Sequence, residues 1–89
     1  MFTTSRYASE STRELARRMA KKNNEVFISR GKHTIAQLAG IARRKGEERI
    51  SIIEEQGKKP ALLATITIME TGEWRWAGQR PIDKDKNAG

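Results

Sequence analysis

The sequence predicts an α/β fold, a β-α-β-α-β-β-β chain forming a mixed five-stranded sheet with two helices. Three observations carry this. Two segments place apolar residues at helical spacing, Leu15-Ala16-Met19-Ala20 and Ile35-Leu38-Ala39-Ala42. Around them lie short β-prone runs that begin at Phe2, Glu25, Arg49, Ala61 and Trp74. The strands first alternate with helices, which calls for parallel pairing through crossovers. They then follow one another across short turns, which calls for antiparallel hairpins at one edge.

Phe2-Thr3-Thr4-Ser5 is the expected first strand, ending at Arg6. Ser11 and Glu14 stand at capping-box spacing, where each side chain can bond the other's backbone N–H, so a helix should follow to about Lys22. Asn23-Asn24 suit its end, because Asn tolerates the left-handed conformation. Glu25-Val26-Phe27-Ile28 reads as a second strand, buried on both faces. The loop Ser29-Arg30-Gly31-Lys32-His33 leads to Thr34, which can cap a second helix reaching about Lys45. Arg43-Arg44-Lys45 fall in its last turn, where cations complement the helix dipole, and Gly46 closes it.

Arg49 to Glu55 is the third strand, and Gln56-Gly57-Lys58-Lys59-Pro60 is a turn. In the fourth strand, Leu63, Thr65, Thr67 and Met69 alternate with Leu62, Ala64, Ile66 and Ile68. Glu70-Thr71-Gly72-Glu73 turns the chain into a short edge strand, Trp74-Arg75-Trp76-Ala77, with both tryptophans on one face. The expected domain is 1–78, followed by a polar, flexible tail, 79–89.

Eighty-nine residues allow one domain. The chain has no cysteine, which excludes a disulfide framework and a cysteine zinc site and fits a reducing, cytoplasmic setting. No run approaches ~18 apolar residues, so no transmembrane helix and no membrane partner are expected. Met1-Phe2-Thr3-Thr4-Ser5 lacks the charged and apolar regions of a signal peptide and reads as the start of the folded domain.

The net charge of +7 is unevenly placed. Residues 1–49 hold 12 basic and 5 acidic side chains, whereas residues 50–89 hold 6 of each. A one-sided field of this kind attracts polyanions, and nucleic acid is the commonest. A thermophile-style surface rich in both signs would explain the 33% of charged residues but not the asymmetry.

No catalytic constellation is legible. His33 is the only histidine, and a lone histidine in a basic loop is usually solvated or locally bonded. Glu54 and Glu55 are adjacent in a strand and point to opposite faces, so they cannot share a proton or a metal. Gly31 is a single glycine, with no P-loop or G-x-G-x-x-G pattern around it. The expectation is a non-enzyme with no cofactor, no metal and no small-molecule substrate.

The basic residues do form a pattern. Thr3-Thr4-Ser5-Arg6 and Ser29-Arg30-Gly31-Lys32 follow the first two strands, at the carboxyl edge where ligands bind in α/β sheets. If those strands are neighbours, Arg6, Arg30 and Lys32 converge. Gly31 permits a positive φ that turns backbone N–H groups toward a phosphate. The hydroxyls of Thr4, Ser5 and Ser29 could bond phosphate or a ribose 2′-OH. The plainer reading is that Arg6 and Arg30 pair with acids such as Glu10 or cap loops. On the first helix, Arg13 and Arg17 stand one turn apart with no acid between them on that side, which favours a bound anion, although a solvated face is the ordinary role. Trp74 and Trp76 would cover one sheet face, stack on bases or contact a protein through the edge strand.

Taken together, Thr3-Thr4-Ser5-Arg6, the Thr12-Arg13-x-Leu15-Ala16 helix, Ser29-Arg30-Gly31-Lys32, Leu38-Ala39-x-x-Ala42, Gly46 and the strand from Ile50 to Glu55 resemble the N-terminal half of Brix-domain proteins, particularly the small archaeal Imp4-like ones. The resemblance runs from about residue 2 to 78. It implies a fold akin to the anticodon-binding domain of class IIa tRNA synthetases and a non-catalytic role in ribosome biogenesis. It also implies rRNA or pre-rRNA as partner. Ser5, Arg6, Arg30, Gly31 and Lys32 are its RNA-facing positions; the residues themselves add Arg13, Arg17 and Ser29. A full Brix domain resembles two such halves, so pairing of two copies through the Trp74–Ala77 edge is a further expectation. The alternative is an adaptor that meets a ribosomal protein through Trp74 and Trp76.

Overall fold

The computed structural model describes residues 1–82. The elements run β1 (Phe2–Thr4), α1 (Glu10–Lys22), α2 (Ile35–Arg44), β2 (Arg49–Gln56), β3 (Lys59–Ile68) and β4 (Trp74–Pro81). The strands form one sheet in the order β1-β2-β3-β4. β1 pairs with β2 in parallel, with Thr3 opposite Ile52, and the two later pairs are antiparallel.

The alternation of side chains sorts the core into two layers. Ile50, Ile52, Ala64, Ile66 and Ile68 share one face and pack with Leu38, Ala39 and Ala42 of α2. Phe2, Ile53 and Leu63 share the opposite face and pack with Ala16 and Ala20 of α1. Each helix therefore covers one side of the sheet. Of the expected apolar stripes, Ala16, Ala20, Leu38, Ala39 and Ala42 are buried and Leu15, Met19 and Ile35 partly so, while α1 also buries Thr12, which was not expected.

The sheet has four strands, not the expected five. Glu25–Ile28 makes only one bridge, Phe27 with Phe2, in parallel. Two backbone bonds flank it, from the Phe2 N–H to the Val26 carbonyl at 2.8 Å and from the Ile28 N–H to the Phe2 carbonyl at 2.9 Å. Continued parallel register would bring the Thr4 N–H to the Ile28 carbonyl and then the Arg30 N–H to the Thr4 carbonyl. The Arg30 guanidinium takes that carbonyl instead, at 3.0 Å, and the ladder ends. Val26 is exposed, so the apolar run does not mark burial on both faces.

α1 also begins differently from expectation. Its N-cap is Ser9, and Ser11 lies inside the first turn, so the Ser11–Glu14 capping box does not form. The Ser9 hydroxyl is taken by the Glu55 carboxylate at 2.5 Å, which leaves the helix without a side-chain cap. α2 does carry a capping box: the Thr34 hydroxyl accepts from the Gln37 N–H, and the Gln37 side chain accepts from the Thr34 N–H.

The β2–β3 turn is tighter than expected. Gln56 pairs with Lys59, leaving only Gly57 and Lys58 in the loop. Both have positive φ, 60° and 65°, as the twist-matched two-residue hairpin demands. Pro60 lies within β3 beside a bulge, where its missing N–H breaks no regular ladder. β4 extends past Ala77 to Pro81, so residues 79–81, expected in the tail, pair with Leu62, Leu63 and Ala64. Ile82 is buried against the α1 layer. The rest of the expected tail, 83–89, lies outside the described residues.

Candidate nucleic-acid interface

The site is built at the carboxyl end of β1. The Ser5 N–H bonds the Ile53 carbonyl at 2.9 Å, which holds the chain against β2 just before it leaves the sheet. Arg6 and Tyr7 make a turn, and Ala8 is buried again. Ser9 is then fixed by Glu55, whose Oε2 accepts from the Ser9 N–H at 3.0 Å and from the buried Thr12 hydroxyl at 2.6 Å. These bonds, from the Ser9 hydroxyl first, then Thr12 and the Ser9 backbone, hold the Glu55 carboxyl below its ordinary pKa.

The loop 29–33 comes alongside because Arg30 ties it down. Its Nη1 donates to the Thr4 carbonyl and its Nε to the His33 carbonyl, at 3.0 and 2.9 Å. His33 is bonded locally, its Nδ1 lying 3.0 Å from the Arg30 carbonyl. Arg6 spans the gap, donating to the Lys32 carbonyl at 3.4 Å. The two turns are therefore neighbours in space, and Gly31 has the positive φ, 51°, that the tight loop needs.

Between them and α1 lies a cavity of about 490 Å³. Of the residues expected in the site, Ser5, Arg13, Arg17, Ser29, Arg30, Gly31 and Lys32 line it, and Arg6 stands beside it. The arginines differ in what they touch. Among the described residues, neither Arg6 nor Arg30 forms an ion pair; both rest on carbonyls. Burial, and then the Arg6 charge, lower the Arg30 pKa, opposed by Glu54. Two like charges are thus held together with no carboxylate bonded to either, an arrangement that an anion would relieve.

Arg13 and Arg17 depart from expectation, since an acid does lie between them. Glu10 takes Arg13 at 2.6 Å and Arg17 at 3.2 Å. These two bonds, Arg13 first, lower the Glu10 pKa. Arg17 also lies over the Phe27 ring, 5.3 Å from its centroid. Thr4 departs too: it is buried, and its hydroxyl donates to the Ser5 carbonyl at 3.0 Å, so it offers no donor to a ligand.

Three lining residues, Tyr7, Ala8 and Glu10, were not expected in the site. Tyr7 is 90% exposed at the rim of the cavity. The available signal was an aromatic residue set beside arginine in an otherwise polar connection, Ser5-Arg6-Tyr7-Ala8.

Trp74 and Trp76 lie opposite Ile68 and Ile66 on the α2 side of the sheet, away from this cavity. Their rings meet edge to face, centroids 6.0 Å apart. Trp74 packs against the core, whereas Trp76 is 55% exposed. Among the described residues, no group of three or more His, Asp or Glu side chains could hold a metal ion, and no helix is long and apolar enough to cross a membrane.

No family model matches the chain. A curated relative does: it is 38% identical over 73 residues to a probable Brix domain-containing ribosomal biogenesis protein of Archaeoglobus fulgidus, covering 82% of this chain and 42% of that protein. The fold resembles the crystal structure of Mil, an archaeal Imp4-like protein, with a TM-score of 0.68 and 27% identity over 83% of this chain and 46% of that one. It also resembles a probable ribosomal biogenesis protein from Aeropyrum pernix, with a TM-score of 0.82 over 92% of this chain and 46% of that one; at 19% identity this speaks for the fold alone. The chain spans about half the length of the relatives it matches, and over that stretch it is a homologue of the Brix-domain ribosome biogenesis proteins.

Proposed function

We propose that this chain is a non-catalytic, rRNA-binding component of ribosome biogenesis that grips the RNA backbone at the Arg6–Arg30–Lys32 edge. The observation that carries the reading is the pairing of Arg6 and Arg30 on backbone carbonyls, with no carboxylate bonded to either. A phosphate between the two turns would meet both guanidiniums, the Lys32 ammonium and the hydroxyls of Ser5 and Ser29. The ribosome biogenesis relatives supply the setting, and we take the scaffold to be the N-terminal half of a Brix domain, akin to an anticodon-binding domain.

Binding to an rRNA fragment, followed across salt concentrations, tests this. Log K should fall by about 0.7–0.9 per phosphate contact for each tenfold rise in salt. Removing Arg6 and Lys32 together should weaken binding more than removing Arg44 and Lys45 at the far end of α2. Equal losses would reject the site.

A protein-adaptor reading has one observation in its favour. Trp76 is exposed on β4, an edge strand in which every residue after Trp74 is exposed. An added strand from a ribosomal protein, or from a second copy, would pair there. Sedimentation equilibrium with and without a Trp76→Lys substitution tests it; monomer in both cases would remove the second-copy form.

A further inference from the structure

Tyr7 is the residue in this site with no structural occupation. Its ring is 90% exposed and packs on nothing in the core. Its backbone is nevertheless held at φ 57°, a left-handed conformation that is unfavourable for a side chain of this shape. The position is imposed from both sides. Ser5 is bonded to β2 before it, and Ala8 is buried and Ser9 clamped by Glu55 after it. The fold thus maintains a strained turn that projects the Tyr7 phenol ring into solvent. Strain of this kind persists where surrounding structure over-determines it, and it concentrates at ligand-binding positions.

The ring's neighbours define what could use it. It stands on the rim of the cavity lined by Arg30, Gly31 and Lys32, and the next residue before it is Arg6. An aromatic face beside a phosphate cradle fits a nucleotide whose base is free to stack while its backbone is held by cations. Bases inside a duplex are already stacked on each other and cannot offer that face.

We infer that Tyr7 is a base-stacking platform, and that the site therefore takes an unpaired nucleotide rather than a continuous duplex. This rests on the RNA-binding reading above and narrows it to single-stranded or bulged segments.

The test compares the wild-type chain with Tyr7→Ala, Tyr7→Phe and Tyr7→Gly on three probes: an unstructured oligouridylate, an RNA duplex and inorganic polyphosphate. Tyr7→Ala should weaken oligouridylate binding by roughly 5- to 150-fold, the range for loss of one stacked base. Duplex and polyphosphate binding should not change. Tyr7→Phe should keep all three, because the ring face and not the hydroxyl is used. Tyr7→Gly should lose oligouridylate binding while its melting temperature stays level or rises, since glycine relieves the positive φ. That combination separates a binding role from a folding one. Tyr7→Ala binding oligouridylate as wild type does, or losing all three probes alike, would overturn the stacking role and leave the RNA-binding reading standing. A wild-type chain that binds no RNA probe would overturn both.

Discussion

Two groups of arginines stand at the same cavity, Arg6 beside it and the others lining it, and what they rest on differs. On α1, Arg13 and Arg17 share the Glu10 carboxylate. Across the cavity, Arg6 and Arg30 rest on the carbonyls of Lys32, Thr4 and His33. A carboxylate cancels a cation's charge, whereas a carbonyl orients the guanidinium and leaves the charge in place. In the first group one carboxylate offsets part of the charge of two guanidiniums. The second is a positioned, unspent charge, and this is the property that phosphate binding needs.

Arg30→Ala breaks this comparison most severely. It removes the charge and leaves the Thr4 and His33 carbonyls without their donors, so the fold should lose about 1–3 kcal/mol in urea melts and RNA binding should fall with it. Arg30→Lys is the sharper variant. It keeps the charge but cannot reach both carbonyls, so much of the stability loss should remain.

Glu55→Gln should come next, at about 1–2 kcal/mol, because it weakens the clamp that positions Ser9 and the start of α1. The same clamp predicts the pH dependence. Glu55 titrates below its ordinary value of 4.5 in the fold, so its contribution is complete above about pH 4.5 and is lost as the pH falls through the lowered pKa. Urea midpoints measured down through that range should drop less steeply in Glu55→Gln than in the wild type. Parallel curves would reject the assignment.

Glu10→Gln tests the comparison in the opposite direction. Freed from their partner, Arg13 and Arg17 should join the site, raise RNA affinity and steepen the salt dependence by up to about 0.7–0.9 for each phosphate gained. Unchanged affinity and slope would mean that α1 does not reach the RNA.

The smallest effect concerns Thr3, whose buried hydroxyl lacks a hydrogen-bond partner. Thr3→Val should raise stability by up to about 1 kcal/mol and leave RNA binding unchanged. A loss of binding would place Thr3 in the site beside Arg6.

The periodic parts of the fold were readable and the exceptions were not. Leu38, Ala39 and Ala42 are buried as their spacing requires, and Ile50 and Ile52 face them across one side of the sheet. Glu25–Ile28 has strand composition, but its pairing ends where the Arg30 side chain takes the Thr4 carbonyl. Ser11 and Glu14 have capping spacing, but the helix starts earlier because Glu55, far along the chain, claims Ser9. Both failures come from a side chain distant in sequence intervening in local backbone bonding.

By itself, the sequence determined the α/β alternation, the concentration of positive charge in the first 49 residues and the two turn segments that carry Arg6 and Arg30–Lys32. Those properties depend on local periodicity and on composition, which short stretches of chain already contain. Only the folded structure decided which arginines rest on carbonyls and which share Glu10, and that Tyr7 stands out into solvent on a left-handed turn. A guanidinium's availability depends on the groups within a few ångströms of it, and β1, the loop at Gly31 and the start of α1 meet only when the chain folds.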